Sequence, residues 1–143
     1  MSIEKELELL KYQVYLLKKM VVSEDHPFFM YALDHNLDEK QVKMICKVLN
    51  VFSHRLSDDT DQNSIDYHQH VSDEDNQLYE NFSISETELL KEEKPSIKEF
   101  ELLKEKIFSD SINSKYLLLS LKGQYIQPKV CEYLLEELEA SLD

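Results

Sequence analysis

Six apolar residues open the chain at alternating intervals of four and three: Ile3, Leu7, Leu10, Val14, Leu17 and Val21. A mean spacing of 3.5 keeps these side chains on one narrow stripe of an α-helix, the seam of a coiled coil. No strand has that period, and a stripe this narrow is completed by another helix. With Leu7, Val14 and Val21 at a positions and Ile3, Leu10 and Leu17 at d, β-branched residues lead at a and leucine at d. In parallel assemblies that choice favours two strands, with three-stranded forms close in energy. Glu6 at g then faces Lys11 at e of a neighbouring helix, and Gln13 faces Lys18, so neither flank repels. The expected partner is the chain itself, as dimer or trimer.

Fewer than three full heptads is short for an isolated coiled coil. Leu9, Tyr12, Leu16 and Met20 add apolar surface outside the seam, so the helix is expected to pack on two sides, as in an intertwined oligomer. An amphipathic helix folded onto its own domain is the competing arrangement, because short 3.5 and 3.6 periods are easily confused.

The rest of the chain reads as helical too. One glycine and three prolines in 143 residues leave few of the residues that tight β-turns require. The expected fold is all-α, a multi-helical single domain over 1–143. Ser2 caps a first helix running to about residue 22. Pro27 suits the first turn of a short second helix carrying Phe28, Phe29, Tyr31 and Leu33, and Asn36 takes the left-handed conformation that stops it. Asp38 and Gln41 form a capping box for a third helix, whose inward stripe is Val42, Ile45, Leu49, Phe52 and Leu56, widened by Met44, Val48 and Val51.

Two further boxes follow. Ser85 and Glu88 open a short helix that Pro95 ends, and Ser96 and Glu99 open one with Ile97, Phe100, Leu103 and Ile107 on one face. Ser111 or Asn113 starts a leucine-rich helix holding Tyr116, Leu117, Leu118, Leu119 and Leu121. Gly123 fits the C′ position beyond it. Pro128 begins the last helix, with Cys131, Leu134 or Leu135, Leu138 and Leu142 as its stripe. The second and third helices outline a helix–turn–helix, but the third opens with Asp38-Glu39-Lys40-Gln41 inside an acidic chain, which suits a structural corner better than a DNA reader.

Charge is unevenly placed. The chain carries a net charge of −13. Between Leu56 and Leu90 there is no lysine or arginine against ten carboxylates, which leaves −3 for the remainder. Residues 57–77 have only Ile65, Tyr67 and Val71 to bury and are expected to form a mobile acidic loop. An acidic balance disfavours nucleic acid and anionic membranes and suits a protein with basic surface. Asp58, Asp59, Asp61, Asp66, Asp73, Glu74 and Asp75 are the candidate residues for such a partner. Glu4, Glu6, Glu8 and Lys11 interrupt what would be a signal peptide, and no run has membrane-spanning length, so a cytoplasmic protein is expected.

From His26-Pro27-Phe28-Phe29, through Leu33-Asp34, Leu37 and the capping box, the chain resembles the small YhaI-like helical proteins of Bacillus-type bacteria. Ser96-Ile97-Lys98-Glu99-Phe100, the leucine-rich helix ending at Gly123 and the Tyr133-Leu134-Leu135 helix extend the resemblance, which covers about residues 1–56 and 95–140. The acidic segment between is a departure from that pattern. The resemblance implies a multi-helical fold, self-association through intertwined helices, and no active site to carry over.

No catalytic, cofactor or metal constellation stands out. Asp59, Asp61 and Asn63 match the opening of an EF-hand loop, but Ser64 stands at its glycine position and His70 at its glutamate position. His68 and His70 share one face of an extended segment without a third ligand at a fixed spacing. His26, His35 and His54 are scattered at helix ends. Cys46 and Cys131 lie in apolar patterns with neither CxxC nor zinc spacing, as buried small hydrophobes of a reducing compartment. One glycine cannot form a phosphate-binding loop. The expected function is that of a non-catalytic, self-associating interaction or regulatory protein. The alternative is an acidic inhibitor or nucleic-acid mimic of phage counter-defence type, acting on a basic protein.

Overall fold

The computed structural model describes residues 2–20, 25–57, 73–108 and 111–141, and among them every regular element is helical. In chain order these are α1 (Ile3–Met20), α2 (Pro27–Asp34), α3 (Glu39–Leu56), α4 (Asp73–Asn81), α5 (Glu86–Leu89), α6 (Ile97–Ile107), α7 (Ser114–Gly123) and α8 (Pro128–Ser141). The all-α expectation holds. None of these helices is long and apolar enough to cross a membrane.

Local signals set most helix starts. The Ser2 hydroxyl accepts from the Lys5 N–H at 3.3 Å, and Pro27 occupies the first turn of α2. Asn36 has φ 55°, and Leu37 N–H closes the stop by donating to Ala32 O at 2.9 Å. At α3 the box is complete: Gln41 N–H donates to the Asp38 carboxylate at 2.8 Å, and Asp38 N–H to the Gln41 side chain at 2.9 Å. Asn113, not Ser111, caps α7, accepting from Tyr116 N–H at 3.1 Å.

Other starts are completed from a distance. Ser96 accepts from Glu99 N–H at 3.1 Å, but the Glu99 carboxylate turns to Arg55 instead of back to its own helix start. The first-turn Ile97 N–H is met by Glu137 of α8 at 2.7 Å, and Tyr133 of α8 donates to Pro95 O at 2.9 Å. His26 offers α2 no side-chain cap, and Phe29 N–H donates to the Gln124 side-chain oxygen at 3.0 Å. Apart from the Ser96 cap, each of these bonds ties a helix end to a distant segment, so that an end group is satisfied by docking one helix on another.

Three expectations need correcting. Helix α4 begins at Asp73, so residues 73–77, expected in the loop, are helical. Tyr79, buried where α4 lies on α3, anchors this turn of chain. Helix α5 ends at Leu89 through a local turn at Leu90, well before Pro95. Gly123 is not the left-handed residue after α7. That residue is Tyr125, with φ 63°, and Ile126 N–H to Leu121 O and Tyr125 N–H to Lys122 O, both 3.0 Å, complete a Schellman closure around it. Gly123 is small for another reason: a Cβ there would lie 3.0 Å from Pro27 Cγ, where α2 crosses α7.

Tyr125 therefore holds a conformation that costs an L-residue roughly 1–2 kcal/mol, while the residue is 85% exposed. Glycine would remove that strain against about 0.5–1 kcal/mol of its own backbone entropy. Tyr125→Gly is expected to raise stability modestly, read as a higher thermal midpoint; a lower midpoint would contradict the strain argument.

The core gathers the inner faces of α3, α6, α7 and α8 with Phe28 of α2, Tyr79 of α4, Ile84 and Leu89. The expected α6 face, Ile97, Phe100, Leu103 and Ile107, is buried as a set. On α7, Leu117, Leu118 and Leu121 are buried while Tyr116 and Leu119 face outward. Val130 joins Cys131 and Leu134 in the core stripe of α8. Helices α7 and α8, joined by residues 124–127, share the most extensive contact among the described elements, and α2 packs against α7. Lys104 ties α6 to the start of α7, donating to Ile112 O and Ser114 Oγ at 2.7 Å each while pairing with Glu101 at 2.9 Å.

Candidate interaction surface

Helix α1 takes no part in this core. None of its 18 residues is buried. Five of the six seam positions are described, and all five are open: Ile3, Leu7, Leu10, Val14 and Leu17 are between 41% and 82% exposed. Val21 lies outside the described residues. Leu9, Tyr12, Leu16 and Met20, the residues beyond the seam, are exposed as well. Isolated apolar residues on a surface are ordinary, whereas a helix-long apolar face on a charged chain is a candidate interaction surface.

The C-terminal half of α1 lies beside α2. Lys18 Nζ stands 3.2 Å from the Asp34 carboxylate. Val14 and Lys18 from α1, with Phe29, Ala32, Leu33 and Leu37, line an open groove of about 630 Å³. Phe29 and Leu33 are half exposed, whereas their neighbour Phe28 is fully buried. The His26 ring stacks on Phe29 with centroids 5.7 Å apart, which helps hold that ring in place. Tyr31 packs on His35 at 4.1 Å, and its hydroxyl is buried without a hydrogen-bond partner among the described residues. Burial pushes the Tyr31 phenol above its ordinary pKa.

The sequence pattern marks the apolar stripe of α1 but not the exposure of Phe29 and Leu33 beside it. An eight-residue helix in which Phe28, Phe29, Tyr31 and Leu33 are all apolar is too short for its pattern to tell the inner face from the outer.

The other candidates separate. Asp58, Asp59, Asp61 and Asp66 lie outside the described residues, as do Asn63, Ser64, His68 and His70. Asp73, Glu74 and Asp75 form the first turn of α4. The two thiols are far from poised nucleophiles. Burial raises the Cys46 thiol and pushes Cys131 up to about 12, with Lys122 nearby lowering it and Glu132 raising it. Thiolate chemistry needs the opposite shift. Among the described residues no group of three His, Cys, Asp or Glu side chains converges as a metal site would require.

The chain gives no match to a family model, to a curated protein or to a solved structure.

Proposed function

We propose that this chain is a non-catalytic, self-associating interaction or regulatory protein that joins copies of itself through α1. The observation that carries the reading is a helix with a heptad seam and no buried residue. Leaving such a face in water costs about 25 cal/mol for each Å² that a partner would cover. The flanking e and g positions, which hold Glu4, Glu6, Lys11, Gln13 and Lys18, carry both signs of charge, as a second copy requires. The YhaI-like resemblance belongs to the same proposal. Residues 58–90, without a lysine or arginine, support a second reading in which a basic protein is captured there.

Sedimentation tests the main reading. The wild type is expected to sediment as a dimer or trimer, and Leu10→Glu and Leu17→Glu as folded monomers. Both positions are 57% exposed, so these charges are expected to change monomer stability by no more than about 0.5 kcal/mol. If wild type and both variants run as the same folded monomer, self-association through α1 is wrong.

A further inference from the structure

From the placement of charge we infer that the partner is a second copy whose α1 runs antiparallel. This rests on the self-association reading and adds a direction to it. Up to Leu10, α1 carries Glu4, Glu6 and Glu8 against Lys5; from Lys11 to Met20 it carries Lys11, Lys18 and Lys19 and no acid. The helix is therefore −2 in one half and +3 in the other. Parallel pairing sets like halves side by side, whereas antiparallel pairing sets each acidic half along a basic one.

The seam accepts this reversal without a gap. Antiparallel helices match a to d, and here Leu7 meets the partner's Leu17 and Leu10 meets the partner's Val14. Glu4 then lies by the partner's Lys18, twice by symmetry. Lys18 already holds Asp34, but an ammonium has three donors to share. The cost is one contact of Lys11 with the partner's Lys11, exposed and screened at physiological salt. Parallel packing keeps the Glu6–Lys11 pair instead and avoids that contact, so the flanks alone do not decide.

The bodies attached to α1 do. Helix α1 is +1 overall, and the described residues that follow it sum to −7. That acidic body begins at the C-terminal end of α1, where Asp34 holds Lys18 and Asp38 edges the groove. Parallel pairing would seat two such bodies, and two such corners, at one end. Antiparallel pairing separates them by about the helix length, roughly 27 Å, several times the Debye length of about 8 Å. It also brings the partner's Leu7 to Leu17, on the half of α1 whose Val14 and Lys18 line the groove with Phe29 and Leu33.

Disulfide trapping reads the direction. Leu7→Cys and Leu17→Cys are made in the full chain, with the wild type carrying its two native thiols as the blank, and oxidised with diamide alone and as an equal mixture. The mixture is expected to form a disulfide-linked dimer that neither variant forms alone. In an antiparallel pair position 7 lies about 15 Å along the axis from position 7 of the other copy, beyond disulfide reach. A linked dimer from either variant alone overturns the inference in favour of parallel helices. So does the absence of any linked dimer while the mixture sediments as an oligomer. If the unoxidised proteins sediment as monomers, the self-association reading fails first, and the inference fails with it.

Discussion

Replacing Arg55 by methionine is expected to lower the free energy of unfolding by about 3–5 kcal/mol, the range for leaving one charge of a buried pair without its partner. Arg55 is 7% exposed at the end of α3. Its guanidinium grips both Glu99 oxygens, Nη1 to Oε2 at 2.6 Å and Nη2 to Oε1 at 2.7 Å. It also donates to Glu93 O at 2.8 Å and Leu89 O at 3.2 Å, and its guanidinium carbon lies 5.1 Å from the centre of the Phe52 ring. One side chain thus ties α3 to the end of α5, to the segment before α6 and to the first turn of α6. Methionine fills much of the volume but strands a carboxylate and two carbonyl oxygens. Replacing both partners, as Arg55→Met with Glu99→Leu, is expected to regain most of the loss, because two apolar groups leave no charge unpaired. Urea unfolding of the wild type, the single variant and the double variant is the measurement. An Arg55→Met loss below about 1 kcal/mol would mean that water reaches Glu99 and the clamp is ornamental to stability.

The second large effect separates two neighbouring rings. Phe28→Ala is expected to cost about 3–5 kcal/mol, as deletion of a buried aromatic does, while Phe29→Ala stays within about 0.5 kcal/mol in the monomer. Phe28 is fully buried where α2 crosses α7, and Phe29 is 52% exposed over the groove. The loss at Phe28 is expected to be felt locally first, since α2 is held to α7 chiefly by this ring, by the Gln124 hydrogen bond to Phe29 N–H and by the close approach of Pro27 to Gly123. Hydrogen exchange should show α2 amides opening in Phe28→Ala before those of α3. Equal costs at the two positions would place Phe29 in the core and remove it from the groove.

How much of this can be read from residues alone depends on the reach of each interaction. Pro27, Asn36, the Asp38–Gln41 box and Asn113 act within about one helical turn, and the residues themselves mark them or, at Asn113, narrow the choice to two. The α6 face is legible because four apolar side chains repeat at helical spacing. Helix α4 is not, because Asp73, Glu74 and Asp75 read as loop while its anchor, Tyr79, needs the surface of α3 to count as buried. The Ser96–Glu99 spacing is that of a capping box, yet a guanidinium 44 residues earlier in the chain outcompetes the helix start for the carboxylate. No spacing rule weighs those two partners against each other.

The α1 surface divides in the same way. Its apolar period, its helical state over Ile3–Met20 and its charge polarity follow from the sequence by itself, since period and caps are properties of neighbouring residues. That α1 stays off its own core was a matter for tertiary structure, because α3, α6, α7 and α8 close their apolar faces on one another and on Phe28 and leave no face for it. The small size of Gly123 was likewise decided by Pro27 crossing it, and the inward turn of Arg55 by Glu99 and two carbonyl oxygens. Local order is set by contacts a few residues apart; which surfaces are left for a partner emerges only when distant segments have competed for the core.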